Sequence, residues 1–119
     1  KNKKFLLFNK GDHYRDFTYI DDVVNICQQL INKTLKKKFD IFNICSSKPL
    51  LITKVIKEID KYTKTPIVLK KGRDKADVYK TYGDNKKIQN YLNKRIKFTD
   101  YQIGVQRTCR WYLKNYKLI

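Results

Sequence analysis

Arg15-Asp16-Phe17-Thr18-Tyr19-Ile20-Asp21-Asp22-Val23-Val24 is the stretch on which the fold class turns. In its first half Phe17 and Tyr19 alternate with Thr18 and Ile20, the period of two of a strand, so Arg15 to Ile20 are expected to be extended. At Asp21 and Asp22 the period changes. A carboxylate at such a junction accepts bonds from free amides of the next helix and favours its positive end, so both aspartates are expected to cap it. Behind them Val23, Val24, Cys27, Leu30 and Ile31 recur at three- and four-residue intervals, which predicts an amphipathic helix from Asp22 to about Leu35.

The same alternation spreads outward. Upstream, Phe5 to Phe8 is a short extended run, and Asn9-Lys10-Gly11-Asp12 has the composition of a turn. Downstream, Phe39 to Ile44 reads as a strand, and Cys45-Ser46-Ser47-Lys48-Pro49 closes it with turn formers. A helix capped by Thr53 follows, with Val55, Ile56, Ile59 and Tyr62 as its buried stripe and Thr65-Pro66 as its stop. Ile67 to Leu69 is a brief strand, and the charged segment from Lys70 to Asp77 reads as a loop. Asp84 is expected to cap a short helix whose apolar side is Ile88, Tyr91 and Leu92. Thr99 with Gln102 has the spacing of a capping box for the last helix, along which Val105, Cys109, Tyr112, Leu113 and Tyr116 form a core-facing stripe. Strands alternating with helices over 119 residues, without repeat or linker, predict one α/β unit with an apolar core.

A formal charge of +17 raises the class of polyanion binders. Only Arg15, Arg73, Arg95, Arg107 and Arg110 are arginines among the 28 basic residues, whereas base-edge readout favours the arginine fork. Lys54, Lys57, Lys61 and Lys64 recur on the side of a helix opposite its apolar residues, which is the pattern of a solvated face. No specific nucleic-acid partner is therefore expected. Apolar runs of a few residues are far short of the ~20 needed to cross a bilayer, and the N-terminus has no signal-peptide core, so no membrane span and a cytoplasmic address are expected. Cys27, Cys45 and Cys109 lack metal spacing and are expected as reduced thiols, with Cys27 and Cys109 buried on helical faces.

The chemistry-bearing patterns are mostly missing. Gly11, Gly72, Gly83 and Gly104 are too scattered for a phosphate-binding glycine loop, and His13, read as a surface turn residue, is the single histidine. Tyr82 and Lys86 have a spacing known from proton-transfer pairs, but Asp84 between them places Tyr82 outside the helix that Lys86 begins. No catalytic and no metal-ligating residue is assigned.

The decamer quoted above closely resembles a signature of UDP-glucuronate 4-epimerase-like proteins, which are extended short-chain dehydrogenase/reductases. The resemblance continues, in order, through Phe42-Asn43-Ile44-Cys45-Ser46-Ser47-Lys48-Pro49, Asp77-Val78-Tyr79-Lys80-Thr81-Tyr82-Gly83-Asp84 and Trp111-Tyr112. It implies a small mixed α/β substrate-binding fragment, residues 1–119, belonging to the C-terminal side of an enzyme about three times as long. The Rossmann domain that binds NAD, with the glycine loop and the Tyr/Lys pair, would lie upstream. Such enzymes move a hydride from carbon 4 of a nucleotide sugar to NAD and back through a 4-keto sugar, and the full-length protein is expected to be a homodimer serving surface polysaccharide assembly. The fragment alone would be inactive.

By the same resemblance, Arg15 would meet the diphosphate of a UDP-sugar and Asp77 the ribose hydroxyls, while Leu6 and Phe8 would border the uracil. Relatives carry Arg or Gln three residues before the ribose aspartate; this chain has Asp74 there, and a one-residue slip lets Arg73 serve. Cys45 replaces a family glycine, a strained choice if that position needs a positive φ. The alternatives are a related dehydratase or decarboxylase and, from another class, a basic nucleic-acid-binding module.

Overall fold

The computed structural model describes residues 5–34, 38–64, 67–69, 72 and 77–116. In chain order they form β1 (Phe5–Leu7), a 3-10 turn (Phe8–Gly11), β2 (Tyr14–Arg15), α1 (Ile20–Ile31), β3 (Leu50–Leu51), α2 (Ile52–Thr63), β4 (Ile67–Leu69), α3 (Lys86–Leu92) and α4 (Tyr101–Asn115). The α/β class expected from the sequence is what the chain adopts, as two short strand pairs carried on helices.

β1 pairs in parallel with β4, Leu6 opposite Val68, and β2 pairs antiparallel with β3, Tyr14 opposite Leu51 and Arg15 opposite Leu50. The expected turn after β1 is present, with Asn9 and Lys10 in the left-handed region and Gly11 at φ 77°. At Gly11 a Cβ would lie 2.6 Å from the Thr53 side chain, so only glycine fits.

α2 packs along α4, and the exposed Lys54, Lys57, Lys61 and Lys64 form the solvated side of α2. Among the described residues the buried apolar side chains are Leu7, Ile26, Val55, Ile88 and Cys109. That is a thin core. The radius of gyration, 17.3 Å, exceeds the roughly 13.5 Å of a compact domain of this length, so the chain is more open than a self-contained globule.

Several expectations yield to tertiary bonds. The strand placed at Arg15 to Ile20 ends at Arg15, because the side chains of Asp16 and Thr18 bond to the backbone of Ser46 and Ser47 instead of leaving the segment to a ladder. α1 begins at Ile20, two residues early, and Tyr19 occupies its N-cap position without a side-chain bond. Asp21 and Asp22 thus lie in the first turn, where their charge favours the helix end, but they do not cap it. Asp22 accepts from the Thr99 amide and hydroxyl, both at 2.8 Å. Thr99 is therefore unavailable as the cap of α4, and Asp100 takes that place, accepting from the Gln102 amide at 2.9 Å.

Residues 39–44 form no strand, and Phe39 and Ile41 are exposed. Thr53 lies inside α2, whose cap position is Leu51. Asp84, expected to cap α3, lies one residue before the N-cap position, which Asn85 holds without a side-chain cap bond, although the Asp84 carboxylate still accepts from the Lys86 amide at 2.8 Å. The stripe on α4 is buried at Cys109 but exposed at Tyr112, Leu113 and Tyr116.

α1 has two apolar faces. Ile26 is buried with Val23 and Leu30 half-buried beside it, whereas Ile20, Val24, Cys27 and Ile31 recur along an exposed face, Ile31 at 81%. Cys27 is accordingly exposed rather than buried. His13, expected at the surface, is buried at 7% exposure, and its Nδ1 has no hydrogen-bond partner among the described residues. Burial raises the Cys109 thiol above its ordinary range, assisted by the charge of Glu58.

Candidate functional site

β2 is the centre of a small junction. On one side it pairs with β3; on the other Tyr14 bridges Lys80, its amide donating to the Tyr79 carbonyl at 2.9 Å and its carbonyl accepting from the Thr81 amide at 3.2 Å. This second contact carries Asp77 alongside Arg15. The Arg15 Nη2 donates to the Asp77 carboxylate, a pairing of residues 62 positions apart, and Nη1 donates to the Tyr14 carbonyl at 2.7 Å. Both side chains are about a quarter exposed, 25% and 28%. An ion pair so open to water adds little stability. Its consequence is orientation: guanidinium and carboxylate share one edge, and the two described acceptors leave spare donors on a guanidinium that has five.

The other candidates sit elsewhere. Leu6 and Phe8 lie on and just after β1, both exposed, at 45% and 41%, while Leu7 between them is buried at 5%. They share the open face of that strand pair, which the turn ties to the Gly72 carbonyl through the Asn9 amide at 2.9 Å. Arg73 and Asp74 lie outside the described residues.

Sequence reasoning missed the group that organises the junction. The Asp16 carboxylate accepts from the Ser46 hydroxyl at 2.6 Å and from the amides of Ser47 and Gly83, both at 3.1 Å, while the Asp16 amide donates to Thr81 Oγ1 at 3.1 Å. Asn85, itself buried, donates to the Cys45 carbonyl at 2.8 Å. Short polar side chains at both ends of the junction were the available signal, but which would meet is set by the fold. Cys45 has an ordinary φ; the left-handed residue is Ser47, at φ 57°. A Cβ at Gly83 would fall well inside contact distance of the Cys45 sulfur, so the cysteine fits because its neighbour has no side chain.

Tyr82 precedes α3 while Lys86 is its first residue, and the ammonium near the Tyr82 ring is Lys80, at 5.8 Å. The two do not share a helix face. No group of three or more metal-binding side chains occurs among the described residues. An open groove of about 1110 Å³ is lined by Lys48, Arg95, Lys97 and Arg107 together with Phe17 and Tyr101; neither Arg15 nor Asp77 borders it. No described helix is long and apolar enough to cross a membrane.

Residues 1–45 match the model of the NAD dependent epimerase/dehydratase family. An uncharacterized protein of Methanocaldococcus jannaschii is 37% identical over 95% of this chain and 34% of its own length. UDP-glucuronate 4-epimerase 3 of Arabidopsis thaliana is 28% identical over 98% of the chain and 30% of its own length. Among solved structures, a UDP-glucose 4-epimerase from Thermotoga maritima with UDP-glucose superposes with a TM-score of 0.73 at 28% identity, over 97% of this chain and 36% of that one. The chain thus spans about a third of the length of these relatives.

The family depends on NAD, but the residues present do not fit it: the four glycines are scattered, and the described strands supply no glycine-rich strand-to-helix turn to receive a pyrophosphate. Taken together, the family match over residues 1–45, the curated relatives and the shared fold show that this chain is similar to NAD-dependent epimerases and dehydratases over about a third of their length.

Proposed function

We propose that this chain is the substrate-facing, C-terminal portion of a nucleotide-sugar 4-epimerase of the UDP-glucuronate type, residues 1–119 forming one binding unit. Arg15 meets the diphosphate of the UDP-sugar, Asp77 accepts bonds from the ribose hydroxyls, Leu6 and Phe8 border the base, and Arg73 supplies a second cation. Supporting this reading is the ion pair that sets Arg15 and Asp77 edge to edge across 62 residues of sequence. A planar guanidinium grips phosphate oxygens in pairs, and a carboxylate beside it repels phosphate but accepts from hydroxyls, so the two groups sort the two ends of a nucleoside diphosphate.

Because NAD finds no cradle here, hydride transfer is assigned to a Rossmann portion corresponding to the rest of the relatives' length, and the chain by itself binds without turning over. A homodimer and a role in polysaccharide assembly belong to the whole protein. A dehydratase of the same family would use the same half-site, and the two differ in the NAD-binding portion. Calorimetric titration with UDP tests the assignment: binding that falls at least about tenfold in Arg15→Ala supports it, given the weight of charge-assisted bonds, and equal affinity in both chains rejects it.

The groove lined by Lys48, Arg95, Lys97 and Arg107 favours a second reading, a nucleic-acid surface. Arg107 is partly engaged, lying over the Tyr19 ring at 5.6 Å and 4.0 Å from Asp21. Titration with duplex DNA at two salt concentrations separates the readings, since phosphate binding weakens linearly on a logarithmic salt axis. Weak, sequence-independent binding is the expected result.

A further inference from the structure

Asp77 reaches Arg15 only if residues 77–83 run beside β2 in one register, and a slip by one residue would turn Asp77 to the opposite face. The backbone holds that register weakly: Tyr14 and Lys80 form a single isolated bridge with two hydrogen bonds. Two further ties come from Asp16, whose amide donates to Thr81 and whose carboxylate accepts from the Gly83 amide. The same carboxylate takes bonds from Ser46 and Ser47, and the Ser47 hydroxyl donates to the Gly83 carbonyl at 2.7 Å. One side chain thus gathers three separate segments, 14–18, 45–48 and 81–83.

From this geometry we infer that Asp16 is a positioning residue: it sets the register of the segment carrying Asp77 against the strand carrying Arg15, and so assembles the nucleotide-binding edge without touching the ligand. The inference rests on the proposed function for its functional consequence and on the structure alone for the register. A carboxylate has two oxygens that can accept on several sides, which suits the four donors that reach it, the Ser46 hydroxyl and the amides of Ser47, Lys48 and Gly83. The carboxamide introduced by Asp16→Asn would turn a donor towards amides that are themselves donors. The sequence signal is no more than an aspartate directly after an arginine.

The test compares the full chain with Asp16→Ala and Asp16→Asn by two readouts. Nuclear Overhauser contacts between Tyr14 and residues 79–81 report the register, and those between α2 and α4 report whether the remaining fold persists; UDP calorimetry reports the site. Expected for Asp16→Ala is loss of the cross-segment contacts with α2–α4 contacts retained, and a fall in UDP affinity of about tenfold or more. Asp16→Asn, which keeps one acceptor oxygen, should fall between it and the unaltered chain in both readouts. Retained Tyr14 contacts together with unchanged UDP affinity in Asp16→Ala would overturn the inference. Should Asp16→Ala not fold, Asp16→Asn decides by the same criteria. If the unaltered chain does not bind UDP, the functional proposal fails, and the Overhauser contacts still decide the role of Asp16.

Discussion

The junction around β2 and the helices that surround it are held together by different physics. At the junction, strands of two residues are fixed by directional bonds to Asp16, Ser47 and Asn85, each with a named donor and acceptor. The helices meet through a handful of buried apolar side chains, with much of their remaining apolar surface in water. Directional bonds specify an arrangement but add about 1 kcal/mol each, whereas burial stabilises without specifying a partner. The candidate site sits in the specified region, and stability resides mostly in the other.

Substitutions can break that division of labour. The largest effect is expected at Ile88, which is 0% exposed: Ile88→Ala removes atoms from a thin core and should destabilise the chain by about 2–5 kcal/mol in urea unfolding. Next comes Gly83→Ala, whose new methyl would meet the Cys45 sulfur; a loss of about 1–3 kcal/mol is expected, largely recovered when Cys45→Gly is combined with it. Additive losses in the double variant would show that the two residues do not share space. Asp100→Ala removes the cap of α4 and should lower stability by about 1 kcal/mol with little change at the junction. Smallest is Ile31→Ser on the open face of α1, expected within about 0.5 kcal/mol because that side chain is already in water.

The same contrast explains what was legible in the amino-acid order. Periodicity reports burial, so the four helices and the strands at Phe5–Leu7 and Ile67–Leu69 were readable without coordinates. Where side chains bond across the chain, local patterns misled: Asp22 and Thr99 both read as caps, yet they bond to each other. Residues 39–44 carry strand-forming types but pair with no strand, and propensity does not register the absence of a neighbour. The family resemblance pointed to Arg15 and Asp77 as a pair of candidates, and the fold sets them side by side, whereas Asp16 has no local signature, since its partners lie 30 to 67 residues away.

The outward stripe of α1 has a practical consequence. Cys27 stands in its middle, between Val24 and Ile31, with its thiol open to solvent, while the thiol of Cys109 is buried and held protonated. A small alkylating reagent should therefore modify Cys27 quickly and Cys109 slowly, and any protein surface that settles on this helix will announce itself by slowing the first reaction and leaving the second alone.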